Sequence, residues 1–116
     1  MNALIIVNDP PYGTERAYNA LRLATALAKQ GDATVRVFLL ADAVACAKRG
    51  QQTAKGYYNI ANMVRAFLGQ GGEIGLCGSC MDARGLGEAE MLEGARRSSM
   101  EELAAWTTQA DRILTF

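Results

Sequence analysis

A chain of 116 residues, half of them apolar, has the size and composition of one globular domain with a real hydrophobic core. Twelve Lys and Arg balance twelve Asp and Glu, so the overall charge favours neither nucleic acid nor an anionic membrane surface as a partner. Histidine is absent and cysteine occurs three times, which excludes Ser-His-Asp and Cys-His nucleophiles and removes the commonest metal ligand.

Residues 3–7 (ALIIV) are unbroken and apolar, with β-branched Ile5, Ile6 and Val7. They predict a strand buried on both faces, stopped by the Asn8-Asp9-Pro10-Pro11-Tyr12-Gly13 loop. No basic segment precedes this run and no apolar stretch approaches the ~18 residues of a membrane span, so the expected location is the cytoplasm. From Thr14 the period changes. Ala17, Ala20, Leu21, Ala24, Leu27 and Ala28 mark one face of a helix, with Thr14 as N-cap and Gly31 past its end.

Residues 34–40 predict a second strand, and residues 43–48 a short helix after Asp42. GQQTAKG at 50–56 is polar and predicts an exposed loop. Ile60, Met63, Val64, Phe67 and Leu68 recur at helical spacing and predict a third helix, ended by Gly69-Gln70-Gly71-Gly72. Residues 73–77 predict a strand that delivers Cys77 at its C-terminal end. Gly78 and Ser79 then turn the chain, and Cys80 opens a helical or irregular turn. A further short strand is expected within residues 91–96. Two overlapping Ser-x-x-Glu capping boxes, Ser98 to Glu101 and Ser99 to Glu102, start a helix with Leu103, Trp106 and Ala110 inward. Residues 111–116 give a last strand. This alternation predicts an α/β fold, a parallel sheet between two helix layers, and with no repeat or linker the whole of residues 1–116 reads as one domain.

Ligands of open α/β sheets bind beyond the carboxyl ends of the strands. Loops 8–13, 41–42 and 77–85 are expected at that edge, and the last of them holds Cys77 and Cys80. A cysteine has a reference pKa of ~8.5, lowered by cations and helix N-termini. Arg84 lies four residues after Cys80, within reach if the segment is helical. Backbone N–H groups of the turn after Cys77 can point at an anionic sulfur. Either thiol could be the nucleophile and the other its resolving partner.

The same residues bear on other chemistries. A closed zinc site needs four ligands, and Cys46 alone could join the pair, so a metal would need carboxylates or a second chain. A thioredoxin-type dithiol usually follows the first strand and opens a long helix, whereas here the pair follows the third or fourth. Inert packing suits Cys46, on the short helix, better than two thiols in a Gly/Ser turn. Gly69-x-Gly-Gly72 follows a helix and precedes a strand, the reverse of a dinucleotide or phosphate loop. Lys48, Arg49, Arg96 and Arg97 read as solvated surface. Asp9 and Glu15 could serve as acid or base beside the thiols, or simply cap helices. Tyr12, Tyr57 and Tyr58 suit a pocket or an interface.

Taken together, several stretches resemble the DsrE/DsrF-like family, especially its small YchN-type branch. They are Asn8…Pro11-Tyr12-Gly13, Leu21-Arg22-Leu23-Ala24, Phe38-Leu39-Leu40-x-Asp42-Ala43-Val44 and Gly56-Tyr57-x-Asn59-Ile60-x-x-Met63. To these add Leu76-Cys77-x-x-Cys80-x-Asp82-x-Arg84-Gly85 and the tail from Gly94 through Leu103-Ala104-x-Trp106 to Leu114-Thr115-Phe116. The resemblance implies a three-layer α/β/α sandwich with a five-stranded, mainly parallel sheet, assembled as a homotrimer or homohexamer. It also implies a sulfur relay in which sulfane sulfur is held as a cysteine persulfide, taken from a donor protein and passed to an acceptor protein. The relatives' cysteine, placed by its distance from the Arg-Gly pair, falls on Cys77; Cys80 matches the second cysteine of the YchN-type branch. The expected site is thus Cys77, Cys80 and Arg84, with no cofactor, metal, nucleic acid or membrane. The better-understood carriers of the family work as hetero-oligomers of different members, and many lack the second thiol, which leaves a redox-sensing or regulatory duty as the alternative.

Overall fold

In the computed structural model, which describes all of residues 1–116, strands and helices alternate. They are β1 (Asn2–Val7), α1 (Arg16–Lys29), β2 (Thr34–Leu39), α2 (Ile60–Gly69), β3 (Glu73–Cys77), α3 (Gly78–Ala83), β4 (Ala95–Ser98), α4 (Met100–Gln109) and β5 (Arg112–Thr115). Two 3-10 segments, Ala41–Ala47 and Glu88–Glu90, complete the chain's regular structure. The five strands form one sheet in the order β4-β3-β2-β1-β5, and all four pairings are parallel.

This order follows from the crossovers. The chain steps outward from β1 to β4 through α1, α2 and α3, then returns across the sheet through α4 to lay β5 on the far side of β1. Right-handed crossovers put helices of one direction of travel on one face and those of the reverse direction on the other. The reversal at β4 therefore creates the second helix layer. On the first face, α1 buries Ala17, Ala20, Leu21 and Ala24, and α2 buries Ile60, Ala61, Val64 and Phe67. Three alanines among the four buried residues of α1 let it lie close to its neighbours.

The opposite face is built around Trp106 of α4. Register sets Arg36 beside Glu73 and Phe38 beside Gly75, and Phe38 meets Trp106 edge-on at 5.9 Å. A Cβ on Gly75 would lie 3.0 Å from Phe38 and 3.2 Å from Trp106, so glycine there is what admits the indole. Arg36 and Arg96 sit over the same ring at 5.1 and 5.7 Å. Side chains alternate along a strand, so Cys77, two residues past Gly75, is directed to the α4 side.

Several local expectations need correction. The first helix begins at Arg16 with Glu15 at its N-cap, and Thr14 instead donates to Asp9 while accepting from the Arg16 N–H. The short helix after β2 is a 3-10 helix and starts at Ala41, before Asp42 rather than after it. The short strand expected within residues 91–96 lies at Ala95–Ser98, because the helix that follows claims Ser99 as N-cap. Of the two capping boxes, Ser99 supplies the cap by accepting from the Glu102 N–H, while Ser98 Oγ donates to the Glu102 carboxylate. Helix α4 stops at Gln109, one residue before Ala110. The loop at 50–56 carries an inward anchor. Gln51 donates to the Cys46 and Lys48 carbonyls, each at 2.9 Å, and accepts from the Tyr12 hydroxyl at 2.6 Å.

Candidate thiol site at the carboxyl edge of the sheet

Strand β3 ends on Cys77, whose extended backbone makes it the N-cap of α3. Its Sγ accepts the Cys80 N–H at 3.3 Å and lies 3.4 Å from Ser79 Oγ. A thiol at this position replaces the usual Ser or Asp cap, so the first turn of α3 offers the sulfur a donor by construction. The two cysteines have Cα atoms 5.2 Å apart and are joined as a disulfide. The Cys80 sulfur faces a second element. The backbone N–H of Ala41, at the carboxyl end of β2, donates to it at 3.2 Å.

Cys77 is 6% exposed, yet its surroundings are not aliphatic throughout. It borders a cleft of about 390 Å³ lined with Ser79, Arg97, Ser98, Ser99 and Met100. The cleft arises because β4 pairs with β3 so that Ser98 lies opposite Cys77, and α4 starts immediately after. Cys80 is half-buried and outside that lining.

The arginines are placed differently from the expectation. Arg84 does turn back to Cys80, as its four-residue spacing predicts, but it donates to the Cys80 carbonyl at 3.1 Å and to Asp42 at 2.9 Å. It hydrogen-bonds neither sulfur. Arg97, expected as plain solvated surface, forms two 2.8 Å hydrogen bonds to the Asp82 carboxylate of α3. That fork holds the Asp82 carboxyl below the usual carboxylate range and raises the Arg97 guanidinium. Arg96 likewise forks onto Glu102, which with the Ser98 hydroxyl keeps that carboxyl low.

Cys46 takes no part. It is fully buried with its Sγ turned to the Asp9 carbonyl, and burial pushes its pKa up to about 12. Asp9 is engaged with Thr14 and Arg16, and Glu15 is exposed. Tyr12, Tyr18 and Tyr58 form a packed aromatic group, while Tyr57 stands free. No three His, Cys, Asp or Glu side chains gather as metal ligands.

Sequence reading found both thiols and Arg84 and placed the loops of Ala41 and Asp82 at the same edge, but it gave those two residues no contact there and missed Arg97 and Ser98 as neighbours of the site. A signal for Ser98 existed. The capping boxes mark the start of α4, which ends the preceding strand one residue earlier and sets Ser98 level with Cys77.

A parallel α/β/α sandwich with a thiol pair at the carboxyl end of a central strand defines the class. The DsrE/DsrF-like family model matches residues 1–116, and the chain belongs to that family. It is 40% identical to Protein YchN of Escherichia coli (strain K12) over 114 residues, 97% of each chain. It is 35% identical to an uncharacterized protein of Methanocaldococcus jannaschii, MJ0989, over 116 residues and the full length of both. The crystal structure of the ychN protein from E. coli superposes with a TM-score of 0.93 at 40% identity, covering 99% of this chain and 98% of that one.

Proposed function

We propose that this chain carries sulfane sulfur as a persulfide on Cys77, with Cys80 as resolving thiol and Arg84 holding the Cys80 turn, and that it does so within a sulfur relay, the role often linked to the family. The supporting observation is a cysteine that caps a helix at the edge of a polar cleft, with a second thiol at bonding range.

The chemistry needs only thiolates. The Cys77 thiolate attacks the outer sulfur of a donor persulfide R–S–SH; the new Cys77–S bond forms, the donor S–S bond breaks, and RS⁻ leaves with its electron pair. The Cys80 N–H and the Ser79 hydroxyl lie where they stabilise the Cys77 anion that attacks and later departs. An acceptor thiolate then takes the outer sulfur and Cys77 leaves as thiolate. In a second exit, Cys80 attacks Cys77 Sγ, hydrosulfide departs, and the disulfide forms; an external dithiol restores the pair.

The working unit is residues 1–116 as one domain, in keeping with a single core cluster of 27 buried residues. No helix is long and apolar enough to cross a membrane, and the proposed setting is the cytoplasm, where reducing conditions would return the Cys77–Cys80 disulfide to thiols. Assembly as a homotrimer or homohexamer is supported by apolar side chains left open on the edge strand β5 and at the start of α4, beside the opposite edge. Met100, Ile113 and Leu114 are 60%, 45% and 40% exposed, a pattern that favours burial against further subunits. Light scattering coupled to gel filtration reads the subunit number.

The disulfide itself favours one other reading, a redox-sensing or regulatory protein using the same pair. Intact-protein mass spectrometry separates the two. A carrier treated with a persulfide donor gains ~32 Da per sulfur, the mass of one atom, on a thiol of the kind that forms persulfides. That gain disappears in Cys77→Ser. A sensor gains nothing from the donor and loses two hydrogens to peroxide. Because Cys80 can expel the sulfur from the wild type, the label is read in Cys80→Ser: no label there, or label that survives Cys77→Ser, removes the carrier reading.

A further inference from the structure

We infer that the backbone N–H of Ala41 is the donor that holds the Cys80 thiolate, and that the Ala41-Asp42 corner is built to present it. Ala41 is the one non-glycine residue with a left-handed backbone, at φ +51°. An L-residue adopts that region at a cost, and such outliers persist where surrounding structure over-determines them. Its neighbours show what the conformation achieves. The Leu40 N–H still continues the sheet ladder, donating to the Val7 carbonyl at 2.9 Å, and the Ala43 N–H closes a turn onto the Leu40 carbonyl at 2.9 Å. Between them the Ala41 N–H leaves the ladder and is delivered to Cys80 Sγ at 3.2 Å, across 39 residues of sequence.

The adjacent residue grips the same cysteine from its other end. Asp42 accepts from Arg84 at 2.9 Å, and Arg84 donates to the Cys80 carbonyl at 3.1 Å. Two successive corner residues thus fix Cys80, one directly at its sulfur and one through Arg84 at its backbone. A hydrogen bond to a sulfur favours the charged form over the neutral thiol. Arg84 is on this account a positioning residue.

The donor acts when the Cys77–Cys80 bond opens or closes. When an external dithiol attacks Cys77 Sγ, the new bond forms there, the Cys77–Cys80 bond breaks, and the electron pair goes to Cys80 Sγ, where the Ala41 N–H receives it. In the opposite sense the Cys80 thiolate attacks Cys77 Sγ in the persulfide and hydrosulfide leaves. That second use rests on the carrier function proposed above; the stabilisation of Cys80 does not.

The test follows iodoacetamide alkylation of Cys80 against pH in the full-length Cys77→Ser protein, where buried Cys46 stays silent. Replacing Ala41 by its hydroxy-acid analogue, lactic acid, exchanges the amide for an ester; it deletes the donor and weakens the Leu40 carbonyl that accepts the Ala43 N–H, a turn contact that the Ala43 exchange removes by itself. The half-maximal pH is expected to rise by about one unit. The same ester exchange at Ala43 is expected to leave it in place. Asp42→Ala keeps the Ala41 amide but releases Arg84, and gives an independent reading if the ester protein does not fold. Loss of a nearby negative charge alone lowers the half-maximal pH, whereas loosening the corner raises it. A rise in the folded ester protein supports the assignment, and an unchanged or lowered value there overturns it; Asp42→Ala is scored the same way only where the ester protein does not fold. Persulfide labelling of Cys77 in Cys80→Ser is scored separately, so failure of the carrier function leaves the alkylation result standing.

Discussion

Arg97 packs against Gly78 so closely that a Cβ at position 78 would lie 2.9 Å from its Cζ, Nε and Nη2 atoms. The guanidinium is free to move only by giving up its two hydrogen bonds to Asp82, so a small residue next to Cys77 and an ion pair on α3 are one device. The expected consequence is a sign reversal. Gly78→Ala lowers the thermal midpoint by on the order of 3 °C in the natural background, a typical size for a small steric conflict. In an Arg97→Ala background the same substitution becomes neutral or stabilising, because alanine is the better helix former. Circular dichroism melts of the four proteins check it; equal effects in both backgrounds defeat the coupling.

The two forked pairs make stability acid-sensitive. Asp82 is held low chiefly by its hydrogen bonds from Arg97, and Glu102 by those from Arg96 and then Ser98. A carboxyl lowered in the folded state contributes fully above its unfolded value and loses that contribution as pH falls through the folded one. Melting temperature is therefore expected to hold from neutrality to about pH 5 and then decline. Asp82→Asn is expected to be less stable near neutrality and to decline less steeply. A parallel curve would show that the Arg97 pair contributes nothing.

Cys46 is expected to be chemically silent. Burial holds its thiol at about 12, so a Cys77→Ser/Cys80→Ser protein takes up no iodoacetamide when folded and one equivalent in denaturant. Labelling of the folded protein at neutral pH would mean that the 3-10 segment opens readily.

Gln51 latches the loop that precedes α2. Truncation to alanine removes its contacts with the Cys46 and Lys48 carbonyls and with Tyr12, whose hydroxyl also accepts the Ile60 N–H at 3.1 Å. A loss of about 2 kcal/mol is expected for these half-buried hydrogen bonds. Hydrogen exchange is expected to quicken in residues 45–60 before the sheet. Uniform loss of protection would instead place Gln51 in the global core.

The strands and helices were legible because each carries its own period. β-branched runs at Ile5, Ile6 and Val7 and the helical stripe at Ile60, Val64 and Phe67 declare which face is buried without reference to distant chain. The start of β4 was misplaced because Ala95–Ser98 is an edge strand, half-buried at best, with no hydrophobic alternation to announce it. The thiol pair was legible for a related reason. A strand ending in a cysteine, followed by glycine and serine, puts sulfur at a sheet edge whatever surrounds it.

Sequence alone therefore determined the alternation of elements, the inert Cys46 and the location of Cys77 and Cys80. Tertiary structure alone decided what surrounds the thiol turn: the Ala41 amide on the Cys80 sulfur, the turn of Arg84 toward Asp42, and the Arg97–Asp82 fork over Gly78. Periodicity is a local property written within one helix or strand. These contacts join residues fifteen to forty-two positions apart, and only strand order, parallel register and crossover handedness bring such residues together.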